Sequence, residues 1–514
     1  MLRRSKRVGH ERSIEYWKGR QFMNNKKNAI SAILLQATTM VQGLILPRLI
    51  LSFFGSDVNG LISSITQFLG FISLLEGGLG AVVLAELYRP IEERDESTVR
   101  RILESCQAFF NQLTVAFIAY TVMLAIIYPL FITRQFSFAY TSSLVLILSI
   151  TTLTQYLFSI TYKLYLQATQ KLYIVNYISC VTISVNTISA VVIMMFFPSI
   201  HIVKLCSGIV YLLQPLAFRH FLHQKYRLKN SLRARTDKSV LRDRWSGFSQ
   251  NLAHFINMNT DVVVLTLFTS LDMVSVYTVH MLAIAALRGI ITSVGNSYQS
   301  ALGKYLAKEE QEELNVNFYR FEEIFWFLGV VAFSTCLLLI NPFVSLYTQG
   351  IKDANYFRPS FAAIIVIANM LYVLREPYRL LILAAGKFRE TNFGAMMEVI
   401  LNLSISVFLV WRYGLIGVAL GTLVAIAYRM LYFIWYLSRH ILNKKYRTYA
   451  VFVLTTASVL SVNLIVYRTV NLKVLTIVGF CGYGLVVVVL NAVLYLVLYH
   501  IYNFLNKQLQ RLFR

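Results

Sequence analysis

Residues 245–304 read WSGFSQNLAHFINMNTDVVVLTLF (245–268), TSLDM (269–273) and VSVYTVHMLAIAALRGIITSVGNSYQSALGK (274–304). The first and third segments are strongly apolar, and each is long enough to cross a bilayer, which takes about 20 residues of helix. The middle segment is short and contains turn-forming residues. This stretch therefore predicts two membrane-spanning helices joined by a tight turn.

Both predicted helices carry polar residues on a narrow face. In the first, Gln250, His254, Asn257 and Asp261 follow at steps of 4, 3 and 4, which places them on one side of a helix. The polar residues of the second are Tyr277, Arg288, Thr292, Asn296 and Gln299. Ionisable groups inside a membrane are costly and usually face water or a partner, so two polar faces predict a transport route. The alternative is that hydrogen bonds across these faces only join the two helices.

Composition places the whole chain in a membrane. Of its 514 residues, 57% are hydrophobic and 14% are charged, and the mean hydropathy is +0.60. A soluble domain carries about 25% charged residues. The net charge is +24, and most Lys and Arg residues fall in alternate loops, which is the pattern of cytoplasmic loops in membrane proteins. Nucleic-acid binding is therefore not needed to explain the charge, and the basic loops are expected to contact anionic lipids.

The apolar runs predict an all-α integral membrane protein with about 14 transmembrane helices. The predicted spans are 28–53, 61–86, 103–130, 139–162, 172–197, 200–222, 247–268, 273–302, 318–346, 356–381, 391–411, 414–438, 449–467 and 473–503. Predicted outer turns such as GSDVNG (55–60) are very short. Both termini then lie on the cytoplasmic side, and no loop is long enough to fold as a soluble domain.

An internal repeat divides the spans into two halves. YKLYLQATQK at Tyr162 matches YRLLILAAGK at Tyr378 with an offset of 216, and LSFFGSD at Leu51 matches LTLFTSLD at Leu265 with an offset of 214. Two lobes around a site at the membrane midplane are a common plan for transporters. The predicted organisation is a basic cytoplasmic arm (1–27), an N-lobe of six helices (28–222), a basic cytoplasmic linker (223–246), a C-lobe of six helices (247–440), two further helices (449–503) and a basic cytoplasmic tail (504–514).

Several other chemistries have no motif in the chain. The five cysteines occur singly in apolar spans, so neither a disulfide framework nor a zinc site is predicted. The phosphate-binding pattern GxxxxGK[ST] does not occur, so ATP is not expected to drive transport directly. Paired carboxylates and metal-ligand spacings typical of an enzyme are also missing from the sequence. A membrane enzyme is therefore disfavoured, and no cofactor is expected beyond a coupling ion, H⁺ or Na⁺, or the membrane potential.

Three stretches resemble a known family of transporters. GSDVNGLISSITQFLGFISLLEGGLGAVVLAELYRP (55–90), NTDVVVLTLFTSLDMVSVYTVH (259–280) leading to ALGKYLAKEE (301–310), and GKFRETNF (386–393) are similar to polysaccharide (Wzx-type) flippases. These flippases belong to the multidrug/oligosaccharidyl-lipid/polysaccharide (MOP) exporter superfamily. The resemblance extends over nearly the whole chain.

The resemblance implies a V-shaped pair of six-helix lobes that work by alternating access. The implied cargo is an undecaprenyl-diphosphate-linked oligosaccharide repeat unit, moved from the inner to the outer leaflet of the bacterial cytoplasmic membrane for capsule, exopolysaccharide or O-antigen synthesis. Implied partners are this lipid-linked cargo, anionic lipids, and the polymerase and other polysaccharide-assembly proteins. The alternatives are a lipid II flippase and a cation-coupled multidrug exporter of the same superfamily.

Arg288 is the leading candidate for binding the cargo diphosphate, because it lies near the middle of its predicted span, where its side chain cannot easily reach the interface. Arg48, which follows a helix-bending proline, is a second candidate, although its side chain is also close enough to reach the outer interface. For Arg288 the alternative role is a structural salt bridge with Asp261. The other predicted cavity residues are Gln250, Asn257, Tyr277 and Thr292.

Asp261 and Glu76 are the candidate coupling acids. The repeat offset of 214 puts Asp261 at the depth of Arg48, so we hypothesise that these two residues pair across the cleft and close its outer side. Glu76 lies in a glycine-rich segment, where an acid that hydrogen-bonds across packed helices is the alternative. Arg375, Glu376 and Arg379 are grouped at the inner end of one span and predict an inner gate or a lipid-headgroup contact.

Overall fold

The computed structural model is helical throughout the part of the chain that it describes. The described residues are 2–76, 79–132, 135–223, 248–307, 311–387, 389–442, 447–469 and 476–512. These residues contain no strand, which confirms the predicted all-α fold class.

Sixteen α-helices follow one another along these residues, with a 3₁₀ helix at Phe71–Glu76 and a π-helix at Gln155–Ser159. The α-helices are α1 (Leu2–Gly70), α2 (Leu79–Glu92), α3 (Glu96–Ile132), α4 (Phe138–Thr154), α5 (Ile160–Ala168), α6 (Leu172–Phe196), α7 (Ile200–His223), α8 (Phe248–Phe268), α9 (Leu271–Ala307), α10 (Gln311–Tyr347), α11 (Pro359–Leu374), α12 (Glu376–Ala384), α13 (Asn392–Tyr413), α14 (Leu415–His440), α15 (Arg447–Thr469) and α16 (Ile477–Leu512).

Twelve helical stretches among the described residues are long and apolar enough to cross a membrane. The first, Lys26–Glu76, has 51 residues and covers the first predicted span and much of the second. Within the seventh predicted span, the apolar part is Met258–Phe268. The chain is therefore built as a multi-pass membrane protein.

One predicted turn lies at the expected place but is shorter than expected. GSDVNG (55–60) was expected to form a loop between the first two spans, but α1 is helical on both sides of Gly55. Gly55 alone departs from helical geometry, with φ 84° and ψ 176°, a region that is essentially restricted to glycine. A bend at this single residue therefore replaces the loop.

The described chain divides into two compact units. Unit 1 comprises Met1–Phe54 and Phe68–Phe248, and unit 2 comprises Gly55–Gln67 and Ser249–Arg514. The predicted linker (223–246) lies outside the described residues apart from its first position, the last residue of α7. The predicted terminal arm and tail are helical where they are described, because α1 begins at Leu2 and α16 continues to Leu512.

In unit 1, α3 packs against α4, and α6 packs against α7. Buried aromatic side chains fill the space between them, among them Phe110 and Phe117. Both contact Tyr156 in the π-helix, with ring centroids 6.0 and 5.9 Å away respectively. The π-helix therefore directs one tyrosine into the core of unit 1.

In unit 2, α14 packs against both α13 and α11, while α10 contacts α9, α11, α15 and α16. The last two helices are attached through aromatic contacts, such as the stacked rings of Trp326 and Phe452, whose centroids are 5.1 Å apart. Tyr499 of α16 also donates a hydrogen bond to Glu323 of α10. This packing holds the polar residues of α8, α9 and α11–α14 in fixed positions within one unit.

Candidate functional site

Arg288 projects from α9 towards α11. Its Nη1 atom donates a hydrogen bond of 3.1 Å to Oδ1 of Asn369, and its guanidinium carbon lies 5.1 Å from the centroid of the Tyr372 ring. A cation over an aromatic face is stabilised by the ring quadrupole, and more strongly where water is excluded. The residue is half-buried.

A helix break brings further arginines to the same place. Pro377 occupies the second position of α12 and cannot donate a backbone hydrogen bond, and the chain breaks at Arg375 between α11 and α12. The guanidinium carbon of Arg375 lies 4.4 Å from the centroid of the Tyr372 ring. The hydroxyl of Tyr372 is 3.3 Å from Nδ1 of His254 on α8. Tyr372 therefore joins residues from α8, α9 and the α11–α12 break.

Two of these arginines have carboxylate partners within unit 2. Arg375 donates a hydrogen bond to Glu398 of α13, and Nε of Arg379 donates one of 2.9 Å to Glu376. Glu398 also lies 3.5 Å from Nε of the buried Arg429. These ion pairs hold Arg375 and Arg379 in defined orientations around Tyr372.

Arg288 differs from its neighbours because its partners are neutral. Asn369 and Tyr372 are its contacts, and no carboxylate of a described residue lies within 4.0 Å of its guanidinium. We name Arg288, Tyr372, Arg375, Arg379 and His254 the arginine cluster. It combines one positive charge that has no acidic partner among the described residues with two more that are oriented by acids, an arrangement suited to an anionic group.

Asp261 lies in a separate, deeply buried polar cluster. Its carboxylate accepts hydrogen bonds of 2.9 Å from the hydroxyls of Tyr277 and Thr422. Asn402 donates a hydrogen bond of 3.1 Å to the Thr422 hydroxyl, while its own side-chain oxygen has no hydrogen-bond partner. Side chains from α9 and α14 thus bond this acid of α8 directly, and one from α13 bonds it through Thr422.

The salt bridge considered between Arg288 and Asp261 is not formed. Asp261 meets α9 at Tyr277, which precedes Arg288 by three turns, or about 16 Å along the helix. Arg288 instead reaches α11. Residues of the two polar faces predicted in 245–304 therefore belong to two different clusters, one around Tyr372 and one around Asp261.

The predicted acid of unit 1 is at a junction of two irregular helices. Glu76 is the last residue of the 3₁₀ helix, and it accepts a hydrogen bond of 2.5 Å from the hydroxyl of Tyr156 in the π-helix. Arg48 also belongs to unit 1, on α1, where its carbonyl accepts a hydrogen bond from Ser52. Its pairing with Asp261 stays a prediction.

The remaining predicted cavity residues, Thr292, Gln250 and Asn257, show no contact that assigns them to either cluster. Thr292 lies one turn beyond Arg288, and its hydroxyl donates a hydrogen bond of 2.9 Å to the Arg288 carbonyl. The side chains of Gln250 and Asn257 lie outside those that the structure describes.

Sequence reasoning missed Asn369 and Tyr372, although a signal was present. Together with Arg375 and Arg379 they recur every three or four residues along the tenth predicted span, which places them on one helical face. Thr422 and Asn402 had no such signal, because single polar residues in apolar spans are common and most of them only pack.

Comparison with known proteins shows that solved transporter structures share the fold of this chain. An inward-facing multidrug resistance MATE family transporter of the MOP superfamily matches with a TM-score of 0.53 and 14% identity, covering 79% of this chain and 94% of the other. The eukaryotic MATE transporter AtDTX14 matches with a TM-score of 0.58 and 11% identity, covering 82% and 96%.

A third solved structure extends over nearly the whole chain. The lipid II flippase MurJ in an inward closed conformation matches with a TM-score of 0.69 and 14% identity, covering 95% of this chain and 99% of the other. No protein-family model and no curated protein matches the sequence. At these identities, the structural matches show a shared fold.

Proposed function

We propose that this protein is a flippase for undecaprenyl-diphosphate-linked oligosaccharide repeat units, which it moves from the inner to the outer leaflet by alternating access. The observation that carries the proposal is Arg288, a half-buried cation whose partners in unit 2 are neutral. A diphosphate would supply the acceptor oxygens and the negative charge that Asn369 and Tyr372 do not provide.

The arginine cluster favours an anionic cargo over a cationic one. Arg375 and Arg379 are held by Glu398 and Glu376, and Glu398 is shared with Arg429, so the described charges of this region are positive in sum even before Arg288 is added. An exporter of organic cations would need the opposite balance. A polar headgroup cannot cross hydrocarbon without replacement of its water, and fixed guanidinium groups can replace it while the polyprenyl chain stays in lipid.

A lipid II flippase is the second candidate. The match to MurJ supports it, because it covers 95% of this chain, whereas the MATE transporters cover about four fifths. Lipid II also carries a polyprenyl diphosphate, so the same cluster would serve. The two candidates differ in the sugars, which no residue of the cluster identifies.

Asp261 is the proposed coupling residue. The buried carboxylate of Asp261 accepts hydrogen bonds from Tyr277 and Thr422, and the side-chain oxygen of the neighbouring Asn402 has no hydrogen-bond donor among the described residues. Such a group of oxygens suits H⁺ or Na⁺. Glu76 is the second candidate for proton binding, and the membrane potential is the alternative drive.

The proposal also includes the cellular setting. The protein would lie in the bacterial cytoplasmic membrane with both termini in the cytoplasm, with its basic loops against anionic lipids. It would act without covalent chemistry, as a transporter and not as an enzyme. Polysaccharide-assembly proteins such as the polymerase would be its neighbours.

The test is headgroup translocation in proteoliposomes with a fluorescent undecaprenyl-diphosphate oligosaccharide. We expect transport by the wild type. Arg288→Ala should bind the headgroup about 10- to 100-fold more weakly, because a hydrogen bond to a charged group contributes about 1.5–3 kcal/mol. At low cargo concentration its rate of translocation should fall by the same factor. Arg288→Lys should recover part of the loss, because it keeps the charge without the planar fork. Lipid II as a second cargo separates the two flippase candidates.

Arg412→Ala is the matched control, because Arg412 is exposed at the end of α13 and outside the arginine cluster. It should transport like the wild type. Transport by Arg288→Ala at the wild-type rate would remove the arginine cluster from the proposal. Uptake of an organic cation without headgroup transport would replace the flippase by an exporter.

A further inference from the structure

Tyr378 lies on the side of α12 that is opposite Glu376. Glu376 and Arg379 form an ion pair on this helix, which has only nine residues. Tyr378 is two positions after Glu376, which places it about 200° around the helix from that residue. The Tyr378 side chain is fully buried. A helix this short gains little stability by itself, so its packing must fix the orientation of Arg379.

Two side chains of α10 bind the Tyr378 hydroxyl. The hydroxyl donates a hydrogen bond of 2.7 Å to Glu322, and it accepts one of 3.0 Å from Nε1 of Trp326. Glu322 has no exposed surface, and Trp326 is 2% exposed. Polar groups buried this deeply need their hydrogen-bond partners, so loss of the hydroxyl would remove a partner from each of them.

α15 supports this contact with two aromatic side chains. Its Phe452 stacks on Trp326 with ring centroids 5.1 Å apart, and its Tyr449 meets the Tyr378 ring edge-on at 6.1 Å. The Tyr449 hydroxyl also accepts a hydrogen bond of 3.3 Å from Ser438 of α14. α10 and α15 therefore enclose Tyr378 with rings and hydrogen bonds, which together define its position.

The backbone connects Tyr378 to the arginine cluster. Arg379 is the next residue, and its N–H donates a hydrogen bond of 3.1 Å to the carbonyl of Arg375. Pro377 interrupts the backbone hydrogen bonds at this point, so α12 is not held as a continuation of α11. A shift of Tyr378 would therefore move Arg379 with it.

We propose that Tyr378 is a positioning residue for cargo binding, which acts through Arg379. Held by Glu322 and Trp326, it fixes α12 so that the Arg379 guanidinium is oriented within the arginine cluster. Tyr378 itself does not touch the cargo, because its side chain is fully buried. The inference rests on the proposed function, in which this cluster binds the diphosphate.

The test is Tyr378→Phe, which keeps the ring and removes only the hydroxyl. Without its hydrogen bonds to α10, α12 should lose its fixed orientation. We expect the variant to bind fluorescent undecaprenyl diphosphate about 3- to 10-fold more weakly than the wild type, the range that one or two hydrogen bonds contribute. Binding as strong as that of the wild type would overturn the proposal.

Tyr467→Phe is the matched control. The Tyr467 hydroxyl, on α15, also accepts one hydrogen bond, of 2.8 Å from Asn341 of α10, and donates one, of 2.8 Å to the Pro359 carbonyl. The 16 residues of α11 separate Pro359 from the cluster, or about 24 Å along the helix. Both variants should lower the temperature of thermal unfolding, but only Tyr378→Phe should lose affinity. An equal loss of affinity in the two would show a general effect on stability and would overturn the proposal.

A double variant tests whether Tyr378 acts through Arg379. In an Arg379→Ala background, Tyr378→Phe should weaken binding further by less than about twofold, because the residue that it positions is already missing. If the full loss of the single variant is repeated in that background, Tyr378 acts independently of Arg379, and the proposal is wrong.

The same contact can be measured without cargo. A nitroxide label on Leu383→Cys, in the last turn of α12, reports the mobility of that helix. The background should carry serine at Cys206 and Cys481, the two native cysteines that are not buried. We expect a more mobile label after Tyr378→Phe and no change after Tyr467→Phe. Equal spectra in all three proteins would overturn the positioning role, whereas a wild type that binds no polyprenyl diphosphate would overturn only the proposed function.

Discussion

Tyr372 is the residue on which the arginine cluster depends, since Arg288 and Arg375 both lie over its ring and His254 contacts its hydroxyl. The ring contributes a fixed quadrupole, and the hydroxyl contributes one hydrogen bond of 3.3 Å. These two contributions can be separated by substitution. The ring should matter more, because it holds two charged groups.

We expect Tyr372→Leu to weaken headgroup binding about 2- to 30-fold, because cation–π contacts contribute about 0.5–2 kcal/mol. Tyr372→Phe keeps the ring and loses only the contact with His254. It should therefore bind within about threefold of the wild type, a change below 1 kcal/mol. Titration of the purified protein with a fluorescent polyprenyl diphosphate measures both. Equal losses in the two variants would show that the hydroxyl, and not the ring, is what matters.

The sequence drew attention to the arginines of this cluster and to His254, but it assigned Arg375 and Arg379 to a gate and did not indicate Tyr372. Arg288, Arg375 and Arg379 were recognisable because a charge inside an apolar span needs an explanation. Asn369 and Tyr372 cost little in a membrane helix, so nothing in their identity separates them from packing residues. Among the partners of Asp261, Tyr277 was expected on the polar face of its helix, whereas Thr422 and Asn402 were hidden for the same reason.

At the scale of elements, α1 depends on the conformation of Gly55. Its φ of 84° is disfavoured for any residue with a side chain, and a Cβ there would lie 2.8 Å from Oδ2 of Asp353. The strain and the clash both act on the hydrogen bond that the backbone N–H of Ser56 donates to Asp353.

Gly55→Ala should lower the free energy of unfolding by about 1–3 kcal/mol, the usual cost of a disallowed backbone conformation. Gly43→Ala is the control on the same helix, because a Cβ at Gly43 meets nothing within 4 Å and its backbone is helical. That substitution should be neutral or stabilising by up to about 1 kcal/mol. Thermal unfolding in detergent compares the two. A Gly55→Ala protein as stable as Gly43→Ala would mean that the bend tolerates a side chain.

Sequence periodicity predicted most of the helices and failed where helices are interrupted. Apolar length identifies a span but does not show a bend inside it, so the turn expected at GSDVNG became a single glycine joint. The π-helix at Gln155–Ser159 and the break at Arg375 were also missed, because an apolar run reads the same on both sides of such an interruption. Only Pro377 could have indicated the second of these.

At the scale of the whole molecule, the two halves repeat the same order of helices, but several polar residues of the second half have apolar counterparts in the first. Through the repeat offsets, Asp261 and Thr422 of unit 2 correspond to Pro47 and Cys206 of unit 1, whereas Asn402 corresponds to Asn186. The first half therefore lacks the acid and the threonine hydroxyl of this cluster but keeps the asparagine. One coupling site per chain is consistent with this asymmetry, whereas the resemblance between the halves alone would suggest two.

Residues 55–67 belong to unit 2, so the second half of the chain is incomplete without them. If residues 1–240 and 241–514 are produced as separate fragments, we expect the second to be recovered in folded form only when the first is co-expressed, because it otherwise lacks residues 55–67. Asn59→Ala in the first fragment should weaken the association by about 1–3 kcal/mol through loss of its buried hydrogen bond to Ser275. Thr66→Ala, at an exposed position within residues 55–67, is the control and should have little effect on the association. Co-purification through a tag on one fragment measures the yield, and recovery of a folded second fragment without the first would refute the expectation.

The hydrogen bond between Ser56 and Asp353 joins residues that are synthesised at very different times. Ser56 is made early, but its acceptor, Asp353, follows 297 residues later. At about 5–20 residues per second, the ribosome needs roughly 15 to 60 s to reach it. During that interval the N–H and hydroxyl of Ser56 lack this acceptor. Water, lipid headgroups or an insertion chaperone must then accept their hydrogen bonds.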